Sequence, residues 1–169
     1  MPAEEGDRVM RTWIPALAVV ALAVGCDSKV NQASTGKEFL EKFQKAEKDK
    51  DSEKIWNMLA KESREDRVSS AKKDLEKAKA SPEEAEKLKK DLGMKEDPMA
   101  AGAEKIAQAK LTKQLEKPTE LLTAKFVEEK TQGNEVILVV EVDGKGKREI
   151  PLVREGESLH VRWDEKSGL

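Results

Sequence analysis

Two side chains stand out for the chemistry they could carry: Cys26, the only cysteine, and His160, the only histidine; there is no tyrosine. Cys26 closes the stretch MRTWIPALAVVALAVGC, which begins at Met10. There the basic Arg11 precedes an apolar run from Trp13 to Val24, and the small Gly25 sits directly before the thiol. One cysteine can form no disulfide within the chain, which leaves a free or a covalently modified thiol. The apolar run is too short for a permanent bilayer helix, which needs roughly 18 or more apolar residues. It fits the ~7–15-residue apolar core of a secretory signal, so the pattern predicts export.

Leu22-Ala23-Val24-Gly25-Cys26 resembles the lipobox of bacterial lipoproteins, with Ala23 where that family usually has leucine and Leu22 one place upstream. The resemblance covers the first 26 residues. It implies cleavage between Gly25 and Cys26, a diacylglyceryl thioether on Cys26 and often a third acyl chain on the new amino group. Several chains are what a stable anchor requires, because one myristoyl-sized chain holds a protein to a membrane only marginally. The alternatives are an ordinary signal peptide whose cysteine stays free, or a membrane-anchoring helix. Residues 1–9 place Glu4, Glu5 and Asp7 where a signal carries positive charge. A start at Met10 removes them, and translation is expected to begin there. The expected location is the bacterial cell envelope, on a periplasmic or extracellular face, with the membrane itself as a partner through the lipid on Cys26.

The remaining chemistry is sparse. His160 lies on the polar side of the alternating run Leu159-His160-Val161-Arg162-Trp163, a solvent-facing position. A metal site needs several converging ligands, so no metal and no cofactor is expected. Ser69 and Ser70 have no evident base for activation. Gly144 and Gly146 flank a hairpin and do not open a helix, so no phosphate loop is present. No catalytic residue is assigned, and the chain is expected not to be an enzyme. Removing residues 1–25 takes out Glu4, Glu5, Asp7, Arg8 and Arg11. That leaves 144 residues with 30 Lys and Arg against 31 Asp and Glu. Such balance argues against a nucleic-acid binder, which would show a basic patch.

The elements that must position these groups follow from periodicity. Asp27–Ser34 is polar and unpatterned, so residues 26–34 read as a lipidated cysteine and a tether of at most about 29 Å beyond it. Residues 35–169 form one α+β domain. Thr35-x-x-Glu38 is a capping box opening a helix to about Lys48, with Phe39, Leu40, Phe43 and Ala46 on one face. Asp51 and Ser52 offer the next N-cap, for a helix EKIWNMLAKES that buries Ile55, Trp56 and Leu59. A charged helical insert spans 66–97. In it, Val68, Ala71, Leu75 and Ala78, then Ala85, Leu88 and Leu92, make a thin apolar stripe. Ser81-Pro82 divides it and Gly93 ends it. The stripe reads either as a solvated flap held by ion pairs or as a pairing face for a partner. A helix from Asp97-Pro98 carries Ala103, Ile106, Ala107, Leu111 and Leu115, and Pro118 stops it.

From Leu121 the period drops to two, and the short turns at Gln132-Gly133-Asn134, Asp143 to Gly146 and Glu155-Gly156 predict a four-stranded antiparallel meander. Val136, Leu138, Val140 and Val142 point one way, while Ile137 and Val139 point the other. Those two form a candidate interaction face, for a homodimer or an envelope protein. In the last strand Leu159, Val161 and Trp163 are core.

Helices followed by a meander ending in LVREGESLHVRWD resemble the nuclear-transport-factor-two-like cone fold. Helix two, in KDSEKIWNMLAKESR, and the closing hairpin carry that resemblance. It implies a cone whose enzymatic members set a carboxylate base opposite a tyrosine or histidine. Phe39, Phe43, Trp56, Phe126 and Trp163 are all the aromatics of the chain beyond Cys26. They either pack as core or line a small pocket for an apolar ligand. Three functions follow: a lipid-anchored, non-enzymatic binder of a partner or small apolar ligand, a degenerate cone-fold enzyme, or a scaffold working through its charged helical arm.

Overall fold

The computed structural model describes residues 33–163. The leader, Gly25 and Cys26 lie outside the described residues. Helices α1 (Gly36–Lys48), α2 (Ser52–Met58), α3 (Lys61–Ala80), α4 (Pro82–Leu92) and α5 (Pro98–Gln114) come first. A 3-10 turn at Glu120–Thr123 leads into β1 (Lys125–Gln132), β2 (Glu135–Val142), β3 (Gly146–Glu155) and β4 (Ser158–Val161). The strands lie in the order β1-β2-β3-β4, each antiparallel to its neighbour. The architecture is therefore α+β, helices preceding a four-stranded meander, as the periodicity predicts.

The folded chain starts earlier than the polar tether suggests. Ala33 is fully buried and its carbonyl accepts from the Leu159 N–H at 2.8 Å, so Ala33 covers part of the outer edge of β4. The Thr35 hydroxyl caps α1 by accepting from the Glu38 N–H. The reciprocal half of the capping box is displaced by one residue: the Glu38 carboxylate accepts from the N–H and hydroxyl of Ser34 at 2.9 and 3.1 Å. Lys42, 2.7 Å away, and these Ser34 donors hold the Glu38 carboxyl at a pKa of about 2, below its ordinary 4.5. A depressed carboxyl adds stability that is complete above the unfolded value and lost as pH falls through the folded one. Glu38→Gln should therefore be less stable than the parent above pH 4.5, and the gap should close as pH drops to about 2. Paired thermal melts across that window check this.

The expected helix from Glu53 to Ser63 is two helices. Leu59 and Ala60 turn extended between them; Leu59 forms a parallel bridge with Val161, and the Ala60 N–H donates to the Val161 carbonyl at 2.8 Å. Continuing the helix would withdraw both residues from β4, whose outward groups need partners. Ala33 at one end and Leu59–Ala60 at the other thus protect this edge. At the opposite edge, β1 has a register shift between Phe126 and Glu128 and carries Lys and Glu along an exposed strand, which discourages edge pairing with another chain.

The charged insert has its stripe covered. Helices α3, α4 and α5 contact one another. Ala71 and Ala78 are buried, and Val68, Leu75, Leu88 and Leu92 pack partly against the same core as Ile106, Ala107 and Leu111. Gly93 ends α4 in the left-handed conformation (φ +61°) that glycine adopts without strain. Ser81 precedes α4 without a side-chain cap hydrogen bond. In α5, Gly102 breaks the helical path (φ 81°, ψ 167°), a region open essentially to glycine alone.

Candidate functional site

The five aromatics separate into a core group and an exposed one. Phe39 and Phe43 are fully buried and stack at 5.9 Å between centroids; Trp163 lies 6.1 Å from Phe43 and is 1% exposed. Trp56 is 4% exposed, whereas Phe126 is 37% exposed beside the β1 bulge. Phe126 therefore does not join the other four, and Phe39, Phe43 and Trp163 meet each other instead of lining a cavity. The sheet face toward α1 is filled by these rings with Val136, Leu138 and Val140, all fully buried.

One carboxylate does reach that inner face. Glu129 sits opposite Leu138 in the register and accepts from the Gly36 N–H at 2.6 Å. It occupies the N-terminus of α1, where the orphan N–H groups and the helix dipole favour negative charge. Glu155 does the same for α3, accepting from the Lys61 N–H at 2.8 Å. Glu47, itself buried, accepts from both the N–H and hydroxyl of Thr119 and pins the entry to the 3-10 turn. Gln44 adds two donations, to the carbonyls of Leu121 and Ala124. These acids are engaged in ordering backbone.

The outer sheet face differs from the open apolar surface expected there. Ile137 is only half-buried but Val139 is 3% exposed within the chain itself. Val139 has Glu128 and Glu149 as its register neighbours, and Lys130 bridges those two acids at 3.4 and 3.3 Å. Glu149 first, then Glu128, raise the Lys130 pKa above its ordinary value. Arg162 pairs with Glu135 at 2.7 Å. An ionic lattice thus overlies the stripe, and Ile137 and Val139 do not form an exposed patch. His160 is half-buried opposite Val153 rather than solvent-facing, with Nδ1 buried and unpartnered.

A polar cluster that the apolar pattern misses lies between α3 and the end of the sheet. Arg67 is 2% exposed; its guanidinium stacks 5.0 Å over the Trp163 ring, and Nη1 donates to Gln114 Oε1 at 3.3 Å. Ser63, one turn earlier, accepts from the Trp163 N–H at 3.0 Å. Counting apolar residues finds only half of this buried face, Ala71 and Ala78, and misses Ser63 and Arg67.

Among the described residues, surface clefts border the helices. One of about 730 Å³ lies among α2, the α4–α5 connection and α5. Two of its cations are engaged: Lys105 with Glu96 at 3.2 Å, Lys113 with the Asp91 carbonyl. A second, of about 320 Å³ among α3, α4 and α5, holds the Lys110–Asp74 pair. The third, about 450 Å³, is walled by Trp56 and Val68 and rimmed by Lys61, Arg64, Lys72, Glu65 and Glu104. Among the described residues, no group of three or more His, Cys, Asp or Glu could hold a metal ion, and no helix is long and apolar enough to cross a membrane.

No protein-family model, curated protein or solved structure matches this chain. What can be said of its function rests on its own residues. The third cleft is the candidate small-molecule site, and the ionic outer face of the sheet is a surface left for macromolecules.

Proposed function

We propose that this chain is a lipid-anchored lipoprotein of the bacterial cell envelope, non-enzymatic, which binds a protein partner or a small apolar ligand through its α+β domain. The observation that carries the reading is Leu22-Ala23-Val24-Gly25-Cys26 at the end of the apolar run from Trp13. The docking of Ala33 against β4 is consistent with it. Ala33 lies seven positions after Cys26, a span of at most about 25 Å, so an anchor on Cys26 holds the domain close to the lipid surface. The non-enzymatic part is supported by the absence of tyrosine, by the packed inner face and by the use of Glu129 as a helix cap. The order of helices and meander supports the likeness to the cone fold.

The test is metabolic labelling with palmitate. The parent protein should take up label and sediment with membranes, while Cys26→Ser should fall to background and leave the membrane fraction. Equal labelling in both would remove the anchor from the proposal.

A further inference from the structure

We propose that the cleft walled by Trp56 and Val68 binds an organic carboxylate with a small apolar body, its anionic end taken by Arg64. The observations are of cleft shape, apolar wall and unspent charge. Arg64 is half-buried, and its Nε is sealed from solvent with no hydrogen-bond acceptor. Among the described residues, neither Arg64 nor Lys72 has a carboxylate within ion-pairing distance, while Lys61 is paired with Glu65 at 3.7 Å. Lys105, Lys113 and Lys110 in the other two clefts are engaged with Glu96, the Asp91 carbonyl and Asp74. A guanidinium matches a carboxylate in charge and in the planar spacing of its donors. Trp56 and Val68 supply the apolar wall that a charge alone would not need. The volume, about 450 Å³, is in the range of small-molecule sites. Glu104, on the rim, disfavours dianions and selects a single negative charge. The site deepens the ligand-binding part of the proposed function, and it is read out independently of the anchor.

The experiment is calorimetric titration of the full chain in a nonionic detergent with 4-phenylbutyrate, using the neutral 4-phenylbutanol as the matched control and empty micelles as the blank. Saturable binding is expected for the acid, at least tenfold tighter than for the alcohol. Arg64→Gln should weaken the acid at least tenfold with little change in melting temperature, and Glu104→Gln should tighten it two- to threefold. Equal affinity for acid and alcohol, or unchanged affinity in folded Arg64→Gln, would overturn the site. If Arg64→Gln does not fold, Glu104→Gln decides: unchanged affinity overturns the proposal and tighter binding supports it. Palmitate labelling of Cys26 is unaffected by either result, so failure of the cleft and failure of the anchor are distinguishable.

Discussion

Trp163→Ala should cost the domain about 3–5 kcal/mol, the range for deleting a large aromatic from a packed core. The residue lies beyond the last strand, where chain ends usually fray, yet it is 1% exposed. Its ring touches Phe43 of α1 and carries the Arg67 guanidinium of α3, and its N–H is held by Ser63. One side chain therefore ties the end of the sheet to two helices that are distant in sequence. Removing it leaves a cavity bounded by elements that cannot all close in, because each is also fixed elsewhere: α1 through Glu129 and Glu47, α3 through Glu155. Equilibrium urea unfolding of parent and variant checks this. A midpoint shift with unchanged slope is expected, and a loss below about 1 kcal/mol would mean that the ring is not part of the cooperative core. Trp163→Phe keeps an aromatic against Phe43 and should lose markedly less.

How much of this was legible in the sequence depended on whether polarity and burial agreed. Where they did, the reading held. The period-two run of β2 put Val136, Leu138, Val140 and Val142 on one face, and all four are buried. The apolar face of α1 is Phe39, Leu40, Phe43 and Ala46 as its spacing predicts. Where a charged side chain is buried, the pattern misleads. Glu47 belongs to the buried face of α1. Arg67 belongs to that of α3, which rotates the true face of that helix off the stripe beginning at Val68. The helix break at Leu59–Ala60 was illegible for another reason: no local breaker marks it, and its cause is an edge strand a hundred residues later. Val139 shows the converse. Its alternation is correct, but burial comes from Lys130, which pairs with Glu128 on its own strand and reaches across β2 to Glu149 on β3, a contact no single-strand pattern encodes. The proposed anchor rests on the sequence alone, since Cys26 lies outside the described residues.

Arg67→Ala should cost about 2–5 kcal/mol, as truncation of a long buried side chain does, and a graded series separates what the residue contributes. Arg67→Met retains most of the aliphatic stem and fills most of the volume, but it gives up the stacking over Trp163 and the donation to Gln114. A desolvated cation over an indole ring is worth up to about 2 kcal/mol. Against that stands the cost of desolvating the guanidinium, which a thioether does not incur. Arg67→Met should therefore sit well above Arg67→Ala in stability, close to or within about 2 kcal/mol of the parent. A double-mutant cycle of Arg67→Met with Trp163→Leu measures the contact itself, because each change removes the cation–ring pair without adding a charge. A coupling of about 0.5–2 kcal/mol is expected. Coupling indistinguishable from zero would show that the guanidinium and the indole are neighbours without mutual stabilisation. Arg67 would then contribute through the packing of its stem and its donation to Gln114. The contrast matters for how the arm is held, because Arg67 reaches from α3 both to Gln114 of α5 and to Trp163 at the end of the sheet. If the coupling is present, the charged arm is locked to the sheet by a buried cation, and its orientation relative to the sheet is fixed by the same residue.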